Sequence, residues 1–198
     1  MDLIRRMIGA SKLDINLYDE VETNPDLTKE AFLAVLLVSI SNGIGMIGIS
    51  GSIGIITGLV SSIIAWVLWS VIIYVIGVRG FGHSSDLGEL LRCLGFAYSP
   101  GILNIFMLLP FIGHFVPYIT SIWVFLTFIV AIRQALDCET SRAILISVLG
   151  FLAYVIIRFL IFFIGSFELE KLNRHHASIF RITRFHSKIL PVTRSRTL

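Results

Sequence analysis

The chain is 198 residues long, 56% hydrophobic and 15% charged, with a formal net charge of +3. Soluble domains average about 45–50% and about 25% on those two measures, and a mean hydropathy of +0.88 departs from them in the same direction. The apolar residues come in runs of about 20, the length that crosses a hydrocarbon core, which excludes an ordinary soluble domain. Short loops between single apolar runs require helices, because lipid offers no partner to unpaired backbone groups. No period-two barrel pattern is present. The expected fold class is therefore all-α: a polytopic membrane protein, a bundle of five transmembrane helices.

Residues 1–30 form a polar leader with acids at Asp14, Asp19, Glu20, Glu22, Asp26 and Glu30. An apolar run that begins only near Ala31 starts too late for the hydrophobic stretch of a cleaved signal peptide. Leu3, Ile4, Met7 and Ile8 share one helical face, with Arg5, Arg6 and Lys12 on the other. That spacing suits an amphipathic helix on the inner membrane surface. The membrane domain is expected over 31–165, with spans at about 31–49, 53–78, 93–112, 115–136 and 141–165. Asn24-Pro25 can cap and open the first span. Ser50-Gly51-Ser52 makes a tight link to the second, and Asp86-Leu-Gly-Glu89 reads as a capping box leading into the third. Residues 166–198 make a basic C-terminal tail.

Short-loop arginines set the expected orientation. The loops at 79–92 and 133–142 carry Arg79, Arg92, Arg133 and Arg142, while those around 50–52 and 113–116 carry no Lys or Arg. This places the N-terminus in the cytoplasm and the protein in the cell membrane. The tail runs against the pattern: from Lys171 onward it holds seven Lys/Arg and no Asp/Glu. Long tails cross regardless of such charge. Cys93 and Cys138 fall at helix ends on the cytoplasmic side, where free thiols are expected.

Two blocks, "KLDINLYDEVETNPDLTKEAFLAVLLVSISNGIG" from Lys12 and "DLGELLRCLGFAYSPGILNIFMLLPFIG" from Asp86, carry a family resemblance. So does "SIWVFLTFIVAIRQALDCETSRAILISVLGFLAYVII" from Ser121. The order LGFAYSPG, LPFIG, Ile-Trp, IRQAL and Ser-Arg-Ala resembles the prokaryotic branch of the Yip (Ypt/Rab-interacting protein) domain family, over about residues 12–165. The resemblance implies a five-helix bundle with a cytoplasmic N-terminus. Eukaryotic members are membrane adaptors that engage prenylated small GTPases. That partner is not carried over, because this chain lacks an extended acidic, Pro-rich arm. The last thirty or so residues lie outside the resemblance.

Five sets of residues invite a functional reading. Ser50, Gly54, Gly58 and Ser62 recur every four residues, the spacing that lets helix backbones approach closely, either inside the bundle against the first span or across a dimer. Tyr98-Ser99-Pro100-Gly101 sets a proline inside the third span, which kinks or breaks it. Asn104 adds a polar group one turn on, and broken helices at membrane depth can line an ion or substrate path. Arg133, Gln134 and Asp137 close the fourth span, with Arg133 and Asp137 spaced to pair along a helix. With Arg92 and Arg142 they form the candidate partner-binding patch. Arg158 lies inside the fifth span and can snorkel toward headgroups. Arg174, Arg181, Arg184 and Lys188, interleaved with Ile and Phe, suit anionic lipid.

The polar constellations of intramembrane enzymes are missing from the spans. No catalytic, cofactor or metal site is expected, and no nucleic-acid partner. The expected function is a non-catalytic scaffold or adaptor. It binds membrane lipid and another membrane protein or a second copy, and influences membrane organisation. The alternative is a small transporter or channel using the kinked third helix. Against it stands the lack of an internal repeat, which many transporters carry.

Overall fold

The computed structural model describes residues 3–189; the side chains of Ile49 and of residues 165–189 lie outside that description. Helices make up the regular structure: α1 (Leu3–Ser11), α2 (Ile15–Thr23), α3 (Thr28–Gly45), α4 (Ile47–Ser50), α5 (Ile53–Tyr74), α6 (Leu87–Ala97), α7 (Val116–Ala135) and α8 (Thr140–Ile189). Four segments are long and apolar enough to cross a membrane: Pro25–Gly45, Ile53–Gly80, Val116–Ala135 and Thr140–Ile164. A fifth is a bent pair, α6 with the 3-10 stretch Ser99–Leu108, turned by 42°. The chain divides into two compact units, 1–154 and 155–198. The second consists of the continuation of α8 to Ile189 and the residues beyond it. The side chains of Arg174, Arg181, Arg184 and Lys188 fall outside the description. Arg158 is exposed.

Local chemistry sets the helix starts. Asn24 Oδ1 accepts from the Asp26 backbone N–H at 3.0 Å, and Pro25 opens the 3-10 turn that runs into α3. A proline is tolerated there because the first N–H groups of a helix have no intrahelical partner. Asp86 and Glu89 form a complete capping box at α6, each carboxylate accepting from the other's backbone N–H at 2.8 and 2.9 Å. Gly51, with φ 64 and ψ −156, links α4 to α5 in a conformation that a side chain strongly disfavours.

α3 and α5 pack antiparallel at close range. A Cβ on Gly58 would lie 2.7 Å from Gly43 Cα, and one on Gly54 would lie 2.7 Å from Met46 O. Two backbones can come this near only where side chains are absent, and dispersion between them then drives association in lipid. Gly54, Gly58 and Ser62 are thus spent inside the bundle. Ser50 is not part of that stripe: it sits exposed in α4, because the chain turns at Gly51 before α5 begins.

Toward the end that carries the N-terminus, Tyr18, Val21, Leu90, Leu94, Phe96, Ile132, Leu136 and Ile146 are fully buried. The spans' outer faces leave Ile56, Ile64, Ile122 and Leu126 exposed, as expected where the solvent is hydrocarbon. The apolar set expected on one face of α1 is divided. Met7 and Ala10 are buried against the bundle, while Ile4 and Ile8 stay exposed. The reason is Arg6: its guanidinium turns inward to Glu20 at 2.8 Å and Glu30 at 2.6 Å, fixing which face of α1 meets α2 and α3.

Candidate functional site

The third span breaks where the sequence places a proline. Pro100 has no N–H to give, and the residues from Ser99 tighten into ten residues of 3-10 helix. Runs of that length are uncommon. Ser99 answers by donating to Phe96 O, and Ser41 on α3 donates to Ile102 O at 2.5 Å, so freed carbonyls find partners. One turn on, Asn104 joins a cluster drawn from four elements. Its Nδ2 donates to Asn42 Oδ1 at 2.5 Å, and its Oδ1 accepts from Thr120 at 2.5 Å. Asn42 Nδ2 in turn donates to Ser62 Oγ at 2.8 Å and to the Tyr98 hydroxyl at 3.4 Å. Gly101 lies beneath, where a Cβ would meet Val38 at 2.7 Å. The cluster is mutually satisfied: amide meets amide, and each hydroxyl serves as donor or acceptor.

The second constellation lies at the end that carries α1 and α2. Arg92 is buried on α6, and its Nε and Nη2 donate to Val21 O at 3.0 Å and Glu22 O at 2.5 Å. Those are carbonyls of the last turn of α2, which have no partner within their own helix. A cation there also meets the negative end of the helix dipole. Arg92 is therefore a C-terminal cap for α2 and not a free group on a docking patch.

Arg133 and Asp137 do not pair as the i, i+4 spacing suggests. α7 ends at Ala135, and Asp137 takes φ 45, so its side chain leaves the helical face. Asp137 N donates to Gln134 O at 2.9 Å and Cys138 N to Arg133 O at 3.1 Å, closing the helix end as a left-handed cap. Arg133 Nε donates instead to Gln134 Oε1 at 2.9 Å, and Gln134 Nε2 donates to Asp19 on α2. Arg142 is exposed at the start of α8.

Glu22 is crowded at this end. Burial first, then the charges of Asp137, Glu89 and Asp19, push its carboxyl up to about 7, against the opposing pull of Arg92. Both cysteines are free, Cys93 buried and Cys138 partly so. Among the described residues no group of three or more His, Cys, Asp or Glu is placed to hold a metal ion.

A family model described as the Yip1 domain matches residues 17–163. The chain belongs to the Yip1 family. No curated protein and no solved structure matches it. The Yip1 domain accounts for a multi-pass integral membrane protein, and its matched stretch runs from within α2 to near the end of the last apolar segment, taking in the bent pair and both constellations.

Within this Yip1 domain, the residues that sequence reasoning missed are Asn42 and Thr120 on the spans, with Asp19 and Glu22 on α2. Asn42 and Thr120 carried a signal: a polar side chain inside an apolar run needs a partner of its own kind. Asp19 and Glu22 carried none, because their neighbours come from distant parts of the chain.

Proposed function

We propose that the chain is a non-catalytic membrane adaptor, facing the cytoplasm with the end that carries α1 and α2. There it binds another membrane protein or a second copy, and through it influences membrane organisation. One observation carries this reading. The α7–α8 turn surrounds a polar hollow of about 460 Å³ lined by Arg133, Gln134, Asp137, Cys138, Glu139 and Thr140. Both signs of charge stand there, with Asp137 and Glu139 exposed. These side chains are not needed to close the helix, because the backbone cap at Asp137 already does so. Charged groups at a rim of this kind select partners and orient them more than they add affinity.

The test is photocrosslinking in native membranes, with a photoreactive residue in place of Glu139. The expected result is one specific protein adduct, reduced about tenfold by Arg133→Gln and by Asp137→Gly. Glycine is chosen at 137 because it keeps the left-handed turn while removing the carboxylate. Adducts with lipid alone, or a protein adduct indifferent to both substitutions, would overturn the reading.

The 42° bend of the third span favours a second reading, a small transporter or channel. The cluster around Asn104 argues for the first: its polar groups are occupied by one another, and a conducting path needs groups free to replace hydration. Flux of small ions into proteoliposomes above that of empty vesicles would favour the second.

A further inference from the structure

α1 and α2 form a hairpin that is tied at two points to the flank of a spanning helix. Trp123 Nε1 on α7 donates to Ser11 O at 2.8 Å, and Gln134 Nε2 near the end of α7 donates to Asp19. α7 has 20 residues, which at ~1.5 Å each match a hydrocarbon core ~30 Å thick, so its ends mark the two faces of that core. Trp123 lies twelve residues before Ala135, ~18 Å from that face. Helical side chains lean toward the N-terminus of their helix, which here is farther in. α1 also touches the 3-10 stretch of the third span. The turn of the hairpin therefore stands beside the bundle at leaflet depth, not on the membrane surface.

The end of α1 is built for such a place. The last four carbonyls of a helix have no partner within it, and water serves them where the end is wet. Here all four find donors in the protein. Ile8 O accepts from Lys12 N at 3.0 Å, and Gly9 O accepts from Asp14 N at 3.1 Å. Ala10 O accepts from Leu13 N at 3.1 Å and from the buried Tyr18 hydroxyl at 3.2 Å. Trp123 serves the fourth, Ser11 O. Complete pairing is what a backbone needs where no water reaches it.

The outward face has matching chemistry. Ile4 is 68% exposed and Ile8, one turn on, 50%, with Leu13 and Ile15 exposed at the turn. Arg5 and Lys12 are exposed beside them, and neither is in an ion pair among the described residues. Both border a hollow of about 310 Å³ between the two helices. The carboxylates at that hollow are engaged: Glu20 accepts from Arg6 Nη2 at 2.8 Å, and Asp14 accepts from Asn16 N at 3.1 Å. The two remaining cations have stems long enough to carry charge from apolar surroundings out to phosphates. We infer that the α1–α2 hairpin is set into the leaflet on its own side of the membrane. Ile4, Ile8, Leu13 and Ile15 lie among acyl chains there, and Arg5 and Lys12 meet phospholipid phosphates. This surface is separate from the rim at the α7–α8 turn, and the inference does not depend on the adaptor reading.

The test uses the full chain with Cys138→Ser, Cys93 being buried, in nanodiscs of phosphatidylethanolamine and phosphatidylglycerol. A nitroxide is attached at Ile8→Cys or Leu13→Cys, exposed positions where substitution spares the core. Asp26→Cys is the water-exposed reference, and Ile122→Cys, beside Trp123 on α7, is the lipid-exposed one. Electron paramagnetic resonance compares collisions with oxygen, which concentrates in lipid, and with a nickel chelate, which stays in water. At both hairpin positions the oxygen-to-nickel ratio should exceed that at Asp26 about tenfold and come within about threefold of that at Ile122. Arg5→Gln combined with Lys12→Gln should lower the phospholipid retained in detergent, counted by native mass spectrometry, about fivefold with helical circular dichroism unchanged. A ratio at Ile8 and Leu13 equal to that at Asp26 would put the hairpin in water, and undiminished retention would remove the phosphates. Either result would overturn the inference.

Discussion

At the scale of single residues, the bundle depends on atoms that are not there. Gly58 faces Gly43 so closely that an added Cβ would meet main chain, which cannot rotate aside as a side chain can. Gly58→Leu should therefore destabilise the fold by about 3 kcal/mol, the upper part of the range for overpacking. It would act on folding and not only on self-association, as a lower midpoint of unfolding in a detergent titration would register. The four-residue spacing of small residues was legible in the sequence, as was the first span as the surface they face; Ser50 belongs elsewhere because Gly51 turns the chain first. Asp137 teaches the converse lesson. The i, i+4 rule assumes a helix that continues, and α7 stops two residues before Asp137, which turns away from the helical face.

At the scale of elements, the fragile piece is the pair α1–α2. Each is nine residues long, below the length at which an isolated helix holds in water, so both depend on what they dock against. Arg92→Met keeps much of the buried volume and removes two charge-assisted bonds to the end of α2. Bonds to charged groups contribute about 1.5–3 kcal/mol. Backbone amides of residues 17–23 should consequently exchange with solvent about 10- to 100-fold faster, while those of α5 and α7 keep their protection in hydrogen exchange followed by mass spectrometry. The sequence announced where α3 and α6 begin, since Asn24-Pro25 and the Asp86–Glu89 box are local signals. Sequence placed Arg92 in the partner-binding patch instead, because its partners are backbone carbonyls of α2 and leave no trace in side-chain composition. The proline break in the third span was legible for the same local reason. The amide cluster that stabilises it was only half visible, through Asn104 without Asn42 and Thr120.

At the scale of the whole molecule, charge at the α2 end ties stability to pH. Glu22 titrates near 7 in the fold against an ordinary value of 4.5, so the folded state holds its proton more tightly than the unfolded state does. Stability then falls as pH rises from about 4.5 to about 7, and the loss is complete above the folded value. Glu22→Gln should match the parent protein at pH 5 and exceed it at pH 8, as thermal unfolding at the two pH values would reveal. This behaviour belongs to the assembled fold, because Asp19, Glu22, Glu89 and Asp137 come from three separate stretches of chain. The four long apolar segments and the bent pair, by contrast, were legible in one-dimensional hydropathy alone, because a membrane imposes its thickness on each segment independently.

The docking of α1–α2 also orders events in time. Trp123 Nε1 donates to Ser11 O at a separation of 112 residues, Gln134 reaches Asp19 across 115, and Arg92 reaches back 71 to Val21. At synthesis rates of about 5–20 residues per second, the last of these partners appears roughly 6–23 s after the segment that needs it. These earlier-made residues are thus among the last to settle. Until the fourth span has been made, Ser11 and Asp19 wait for Trp123 and Gln134.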